Sequence, residues 1–221
     1  MAQSPSFPWF DPLLARLRAH LAAEAFPRDA AHDLGHILRV ARLAADLAAE
    51  EGADAEVCVA AALLHDLVYL PKNHPESSLT ARLAAELVPC WCREIPGLED
   101  KAEAVAAAVA THSWSGGQAP GSLEAAVVQD ADRLEALGAI GIARVFATGA
   151  SFGAGLWHPE DPWAEGRELD DKAWSLDHFE RKLLKLAAAM TTSAGRRRAQ
   201  ARQATMTTYL AALRQELDPG R

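Results

Sequence analysis

The stretch Val57–Tyr69, VCVAAALLHDLVY, constrains the fold more than any other part of the chain. Val57, Ala60, Ala61 and Leu64 recur at helical spacing, which predicts a helix whose apolar stripe faces a core. The stripe runs into His65 and Asp66, and His65 falls four residues after Ala61, on the same face. Buried charge is costly unless it is paired or bound to metal. A His-Asp pair ending an Ala/Leu/Val helix therefore needs partners from elsewhere in the chain.

The other segments also read as helices. Asp11 to Ala25 carries Leu13, Leu14, Leu17 and Leu21 on one face, with Phe26-Pro27 as a stop. A second helix runs from about His32 to Glu51, with Ile37, Val40, Ala41, Ala44, Leu47 and Ala48 as its stripe and Gly52 at its end. Asp54 is the N-cap of the third, central helix. Beyond the loop LPKNHPESS, helices are expected over Ser78 to Leu87, Leu98 to His112 and Leu123 to Ala147, the last as one long helix. Thr148 to Asp171 is rich in Gly and Pro and has no regular pattern, which suggests a functional flap or lid. Two further helices, about Ser175 to Met190 and Ala194 to Leu217, close the chain. No strand-like alternation and no internal repeat interrupt this. The expected fold is all-α, a compact multi-helix bundle forming a single domain over residues 1–221, with its core at about 30–147.

Composition narrows the function. Half of the 221 residues are apolar and 24% are charged, as in ordinary soluble domains, and no apolar run is long enough to span a membrane. The N-terminus lacks the basic-then-apolar order of a signal peptide. Three cysteines, Cys58, Cys90 and Cys92, fit a reduced cytoplasmic setting. A net charge of −8 argues against a partner that is polymeric nucleic acid, while a local basic pocket for a small anion stays open.

The helices bring out four residues: His36 on the edge of the second stripe, His65 and Asp66, and Asp132 within QDADRLEAL. Val127, Val128, Ala131, Leu134 and Leu137 surround that aspartate with apolar positions, so something must neutralise it. Two imidazoles and two carboxylates suit a divalent ion such as Mn, Fe, Co, Ni or Zn, leave it formally neutral and keep positions open for water and substrate. Helical geometry alone leaves Asp130 open as the alternative to Asp132.

The order His36, His65-Asp66, Asp132 resembles the HD superfamily of metal-dependent phosphohydrolases. So does the surrounding wording: HDLGHILRV, AALLHDLV and DADRLEALGAIGIARVF. NHPESS, LDDK (Leu169–Lys172) and LDHFERKLLKL (Leu176–Leu186) resemble the small bacterial YedJ-type subgroup. The resemblance covers roughly residues 30–190. It implies an all-helical fold, a divalent metal cofactor (Mn, Co, Ni, Fe, Mg or Zn) on those four residues, and hydrolysis of a phosphate ester or anhydride of a small molecule, most often a nucleotide. The family's ADR pattern selects Asp132 over Asp130. Alarmone and deoxynucleotide hydrolases of the superfamily often carry an acid soon after His-Asp; here LVYLPKNH holds none, which leaves the general base unassigned. Asp66 is the candidate proton acceptor among the ligands.

Phosphate requires cations and donors. Lys72, Asn73, His112, Lys182 and Lys185 are the candidate substrate contacts, and His32, Asp130 and Arg133 are placed behind the ligands, Arg133 paired with a carboxylate. Trp114, Trp157, Trp163 and Trp174 fall in or beside the two long loops, where packing of a satellite core is favoured over base stacking. Two rival readings remain: a two-metal phosphodiesterase drawing on His112 with His32 or His74, and a non-catalytic helical module ordered by its metal.

Overall fold

The computed structural model describes residues 7–24, 28–70, 74–113 and 118–217. Among these the chain is helical, with one isolated bridge, Gly155 to Trp174, in place of a sheet. The chain folds as two compact units, Met1–Asp132 and Arg133–Arg221.

In the first unit, α1 spans Phe10–Ala22 and buries Leu13, Leu14 and Leu17. Ala25, Phe26 and Pro27, the expected stop, lie outside the described residues. α2, Leu34–Glu51, starts at Asp33, whose carboxylate accepts from the His36 N–H at 2.8 Å. It ends at Gly52, whose φ of +75° is the left-handed conformation glycine tolerates best. α3, Ala55–Leu64, is capped by Asp54, which accepts from the N–H groups of Glu56 and Val57. Every residue from Val57 to Leu64 is buried. Such an all-round apolar helix must be enclosed, and α3 packs against both α2 and α5, Ala102–Ala110.

α4, Thr80–Arg93, runs six residues past the expected end at Leu87 and carries Pro89 in its interior. Proline removes one helical hydrogen bond. The buried face Ala81, Ala84, Val88, Trp91 and Cys92 extends beyond it, so burial outweighs the missing bond. α4 packs on α5. The expected helix over Leu98–His112 is a short 3-10 turn, Glu99–Lys101, followed by α5, which ends before His112.

The long helix expected over Leu123–Ala147 is two helices, α6 Leu123–Glu135 and α7 Gly138–Ser151. Bonds from Ala136 N–H to Arg133 O and from Leu137 N–H to Leu134 O tighten the end of α6, and Gly138 turns the chain at φ +71°. In the second unit α7 packs on α9, Ser193–Leu217. Between them a π-helical turn, Phe179–Leu183, leads into the single-turn α8, Leu184–Leu186. The Gly- and Pro-rich segment ahead of that turn is tied down by its own bonds. Arg167 clasps the buried Asp177 through two N–H groups at 2.5 and 2.7 Å, and Asp177 also accepts from the Asp170 N–H at 2.7 Å. Trp163 lies beneath the guanidinium of Arg214, and Trp174 packs beside His158. No single helix among the described residues is long and apolar enough to cross a membrane.

Candidate metal centre

α2 and α3 deliver the two histidines, and the turn after α3 delivers Asp66. His36 lies in the first turn of α2, its backbone N–H held by Asp33. His65 is the C-cap of α3. Its Nδ1 lies 2.8 Å from the Ala62 carbonyl, which can only accept, so Nδ1 carries a proton and Nε2 is the nitrogen that faces the centre. Asp132 enters from α6, one turn after Gln129, whose amide donates to the carbonyls of Thr111 and Gln118.

These side chains converge. The Nε2 atoms of His36 and His65 are 3.3 Å apart. Asp66 Oδ2 lies 3.8 Å from His36 Nε2 and 3.4 Å from His65 Nε2. Asp132 Oδ1 lies 3.5 and 3.8 Å from the same two nitrogens. The donor atoms of His36, His65 and Asp66 all lie within 4.8 Å of one another, close enough to hold one first-row divalent ion, and Asp132 stands beside that group, within reach of both imidazoles. The donor set therefore fits one. The imidazoles are 1% exposed, whereas the carboxylates are 19% and 26% exposed, so the centre opens on its carboxylate side.

Electrostatics agree with the geometry. Burial by itself would lower the His65 pKa, yet facing Asp66 and Asp132 the imidazole is pushed up to about 9. Burial would raise both carboxyls, but the histidines hold Asp66 and Asp132 well below the usual carboxylate range. The carboxylates are thus ionised and attract a cation, which has to displace the proton that His65 holds.

The remaining candidates fall at different distances. The His112 ring stands edge-on to His65 with centroids 5.0 Å apart, and its Nδ1 donates to the Val109 carbonyl. Burial and the neighbouring His65 lower its pKa. The His32 ring is 5.9 Å from that of His36, with Nδ1 on the Asp29 carboxylate at 2.8 Å. Asp130 is fully buried, roughly 200° around α6 from Asp132. Arg133 donates to the Ala189 carbonyl within the second unit. That unit also holds Lys182 on the π-helical turn and Lys185, which donates to the Arg181 carbonyl. Lys72 and Asn73 lie outside the described residues. His74 accepts from the Glu76 N–H.

Sequence reasoning passed over the residues that hold the turn after α3. Arg28 donates to the Asp66 carbonyl at 2.5 Å, and His20 Nε2 donates to the Leu67 carbonyl at 2.9 Å. The Glu24–Arg28 spacing of four was the available signal.

Two imidazoles and the Asp66 carboxylate, brought together by α2 and the end of α3, with Asp132 of α6 beside them, make this a helical domain with a candidate divalent-metal centre. Residues 33–137 match the HD domain family. The uncharacterized protein YpgQ of Bacillus subtilis is 33% identical over 193 residues, spanning 86% of this chain and 85% of that protein. The chain belongs to the HD domain family. The crystal structure of B. subtilis YpgQ in complex with ADP superposes with a TM-score of 0.71 at 30% identity, covering 95% of both chains. An HD-superfamily hydrolase from Bacillus thuringiensis superposes at 0.69 and 31% identity, covering 94% of this chain and 96% of that one.

Proposed function

We propose that this protein is a metal-dependent phosphohydrolase that cuts a phosphate ester or anhydride of a small molecule, with a nucleotide as substrate. The observation that carries the reading is the cluster of His36, His65 and Asp66, with Asp132 facing both imidazoles, walled by the imidazoles and open past the carboxylates. A purely structural metal site would be closed on all sides. That a relative, YpgQ, was crystallised in complex with ADP supports a nucleotide as ligand.

In this reading His36, His65, Asp66 and Asp132 hold the ion. A divalent ion bound there polarises a phosphoryl oxygen and acidifies a water. The carbonyl of Ala62 fixes the ring of His65 so that its Nε2 always faces inward. Asp66, partly open to solvent, also accepts the proton that the attacking water sheds. His112, Lys72 and Asn73 are the proposed contacts to the phosphate chain, where cations offset the charge that develops as the bond breaks.

The test is a screen for phosphate and pyrophosphate release from nucleotides with Mn, Co, Ni or Mg added, with Asp66→Ala and Asp132→Ala beside the wild type. Turnover that needs added metal and that both substitutions abolish is the expected result, and the product identifies the bond cut. Turnover that survives Asp132→Ala would remove that residue from the centre. No turnover despite stoichiometric metal binding would favour the non-catalytic module.

A further inference from the structure

We infer that the segment preceding the matched HD region positions Asp66, with Arg28 as the positioning residue and Glu24 and His20 as its supports. This rests on the proposed role of Asp66 as a ligand.

A helix ends with carbonyls that have lost their intrahelical donors. α3 stops at Leu64, and the next residues, His65 and Asp66, are the ones that face the centre. The direction taken by the Asp66 carboxylate is set by its own backbone, and that backbone is gripped from outside α3. Arg28 Nη2 donates to the Asp66 carbonyl at 2.5 Å, while Nη1 donates to the His32 carbonyl at 3.2 Å. The same guanidinium is held by Glu24 through bonds of 2.7 and 2.6 Å and lies 5.1 Å from the centroid of the Tyr69 ring. Tyr69 is tied back in turn, its hydroxyl donating to the Asp29 carboxylate at 3.2 Å. His20, in the last turn of α1, covers the next carbonyl, that of Leu67. Consecutive orphan carbonyls after α3 thus receive their donors from residues 20 and 28.

The arrangement exceeds what a surface ion pair needs. The side chains of Arg28 and Glu24 are 7% and 13% exposed, so the pair is almost fully desolvated and fixed in one geometry. The guanidinium's bonds end on Glu24 or on a carbonyl adjoining the centre. His20, Glu24 and Arg28, the groups that supply or hold these donors, all precede residue 33, where the family match begins.

α1 supplies its own control. Arg16 donates to the Trp91 carbonyl at 3.4 Å, pairs with Glu94 at 2.7 Å and lies 4.3 Å over the Trp91 ring. It makes the same kinds of contact as Arg28 but none with the turn after α3. The experiment is Mn²⁺ titration of full-length wild type, Arg28→Gln, Arg28→Lys and Arg16→Gln by calorimetry, with thermal unfolding of each metal-free protein alongside. Removing a group that orients a ligand weakens metal binding about 10- to 100-fold. That loss is expected for Arg28→Gln. Arg28→Lys, which reaches one carbonyl but not both, should fall between Arg28→Gln and wild type. Arg16→Gln should bind Mn²⁺ within about twofold of wild type whatever it loses in thermal stability, since it touches nothing at the centre. The inference is overturned if either Arg28 variant that folds binds Mn²⁺ like the wild type, or if affinity follows melting temperature alike in Arg16 and Arg28 variants. Wild type that binds no divalent ion would instead overturn the metal centre itself.

Discussion

Replacing Asp54 separates hydrogen-bonded capping from charge at the helix on which the centre is mounted. Asp54 accepts from the N–H groups of Glu56 at 2.9 Å and Val57 at 3.2 Å, and its other oxygen meets Lys101 Nζ at 2.5 Å. Losing the cap bonds costs about 1 kcal/mol, and losing a negative charge beside a helix N-terminus costs roughly 0.3–1 kcal/mol. The Lys101 pair is 29% and 41% exposed, so screening leaves it about 0.5 kcal/mol. Asp54→Ala should therefore lose about 2 kcal/mol at neutral pH, and Asp54→Asn, which keeps an acceptor and loses only charge, about 1 kcal/mol. Urea unfolding followed by far-UV circular dichroism reads both.

The pH dependence has a definite sign. Burial would raise the Asp54 carboxyl, but Lys101 and the capped N–H groups lower it overall. A depressed folded-state pKa contributes stability above the ordinary value of about 4 that is lost as pH falls through it. The gap between wild type and Asp54→Asn should therefore close in acid. Equal losses in Asp54→Asn and Asp54→Ala, a loss below about 0.5 kcal/mol in Asp54→Ala, or a gap that widens in acid would refute the reasoning. Mn²⁺ affinity should stay within about twofold in both variants, because the cap lies about 15 Å along α3 from His65.

Further outcomes follow from burial and packing. Cys58 and Cys92 are buried, and burial pushes their thiols up to about 12 and about 11, whereas Cys90 is exposed. A thiol reagent should label Cys90 alone in the folded protein, and Cys90→Ser should abolish the fast phase. Arg167→Met should destabilise the second unit by about 3–5 kcal/mol, read by urea unfolding, because it strands the buried carboxylate of Asp177. Asp177→Asn in the same background should recover part of that loss. A methyl group on Gly155 would fall 2.6 Å from the Trp174 ring, so Gly155→Ala should cost about 1–3 kcal/mol and quicken amide exchange at Gly155 and Ser175, which bond across that bridge.

Much of the architecture was legible because it rests on periodicity and punctuation. Asp54, Gly52 and the stripes of α2 and α3 carry their signals in residue types. Asp132 stood out because a carboxylate in an apolar run demands a partner. Other features have no such signature. Pro89 reads as a stop until the buried face beyond it is known to continue. Gly138 sits within an apolar run and reads as helix interior until its left-handed turn is seen. The donors on the carbonyls of Asp66 and Leu67 were hidden for a different reason: every residue has a carbonyl, so a bond to the backbone leaves no mark on the sequence that receives it.

The two histidines of the centre are closed off and its two carboxylates are not. A phosphorylated molecule approaching by the open side meets negative charge before it meets any imidazole. Like charges at close range repel, and on the proposed function a divalent ion cancels the two carboxylate charges before an anionic substrate approaches. The proposed function then carries an order of loading, metal first and nucleotide second. Nucleotide affinity measured after chelation should then be weak and should strengthen with rising salt, which screens the repulsion.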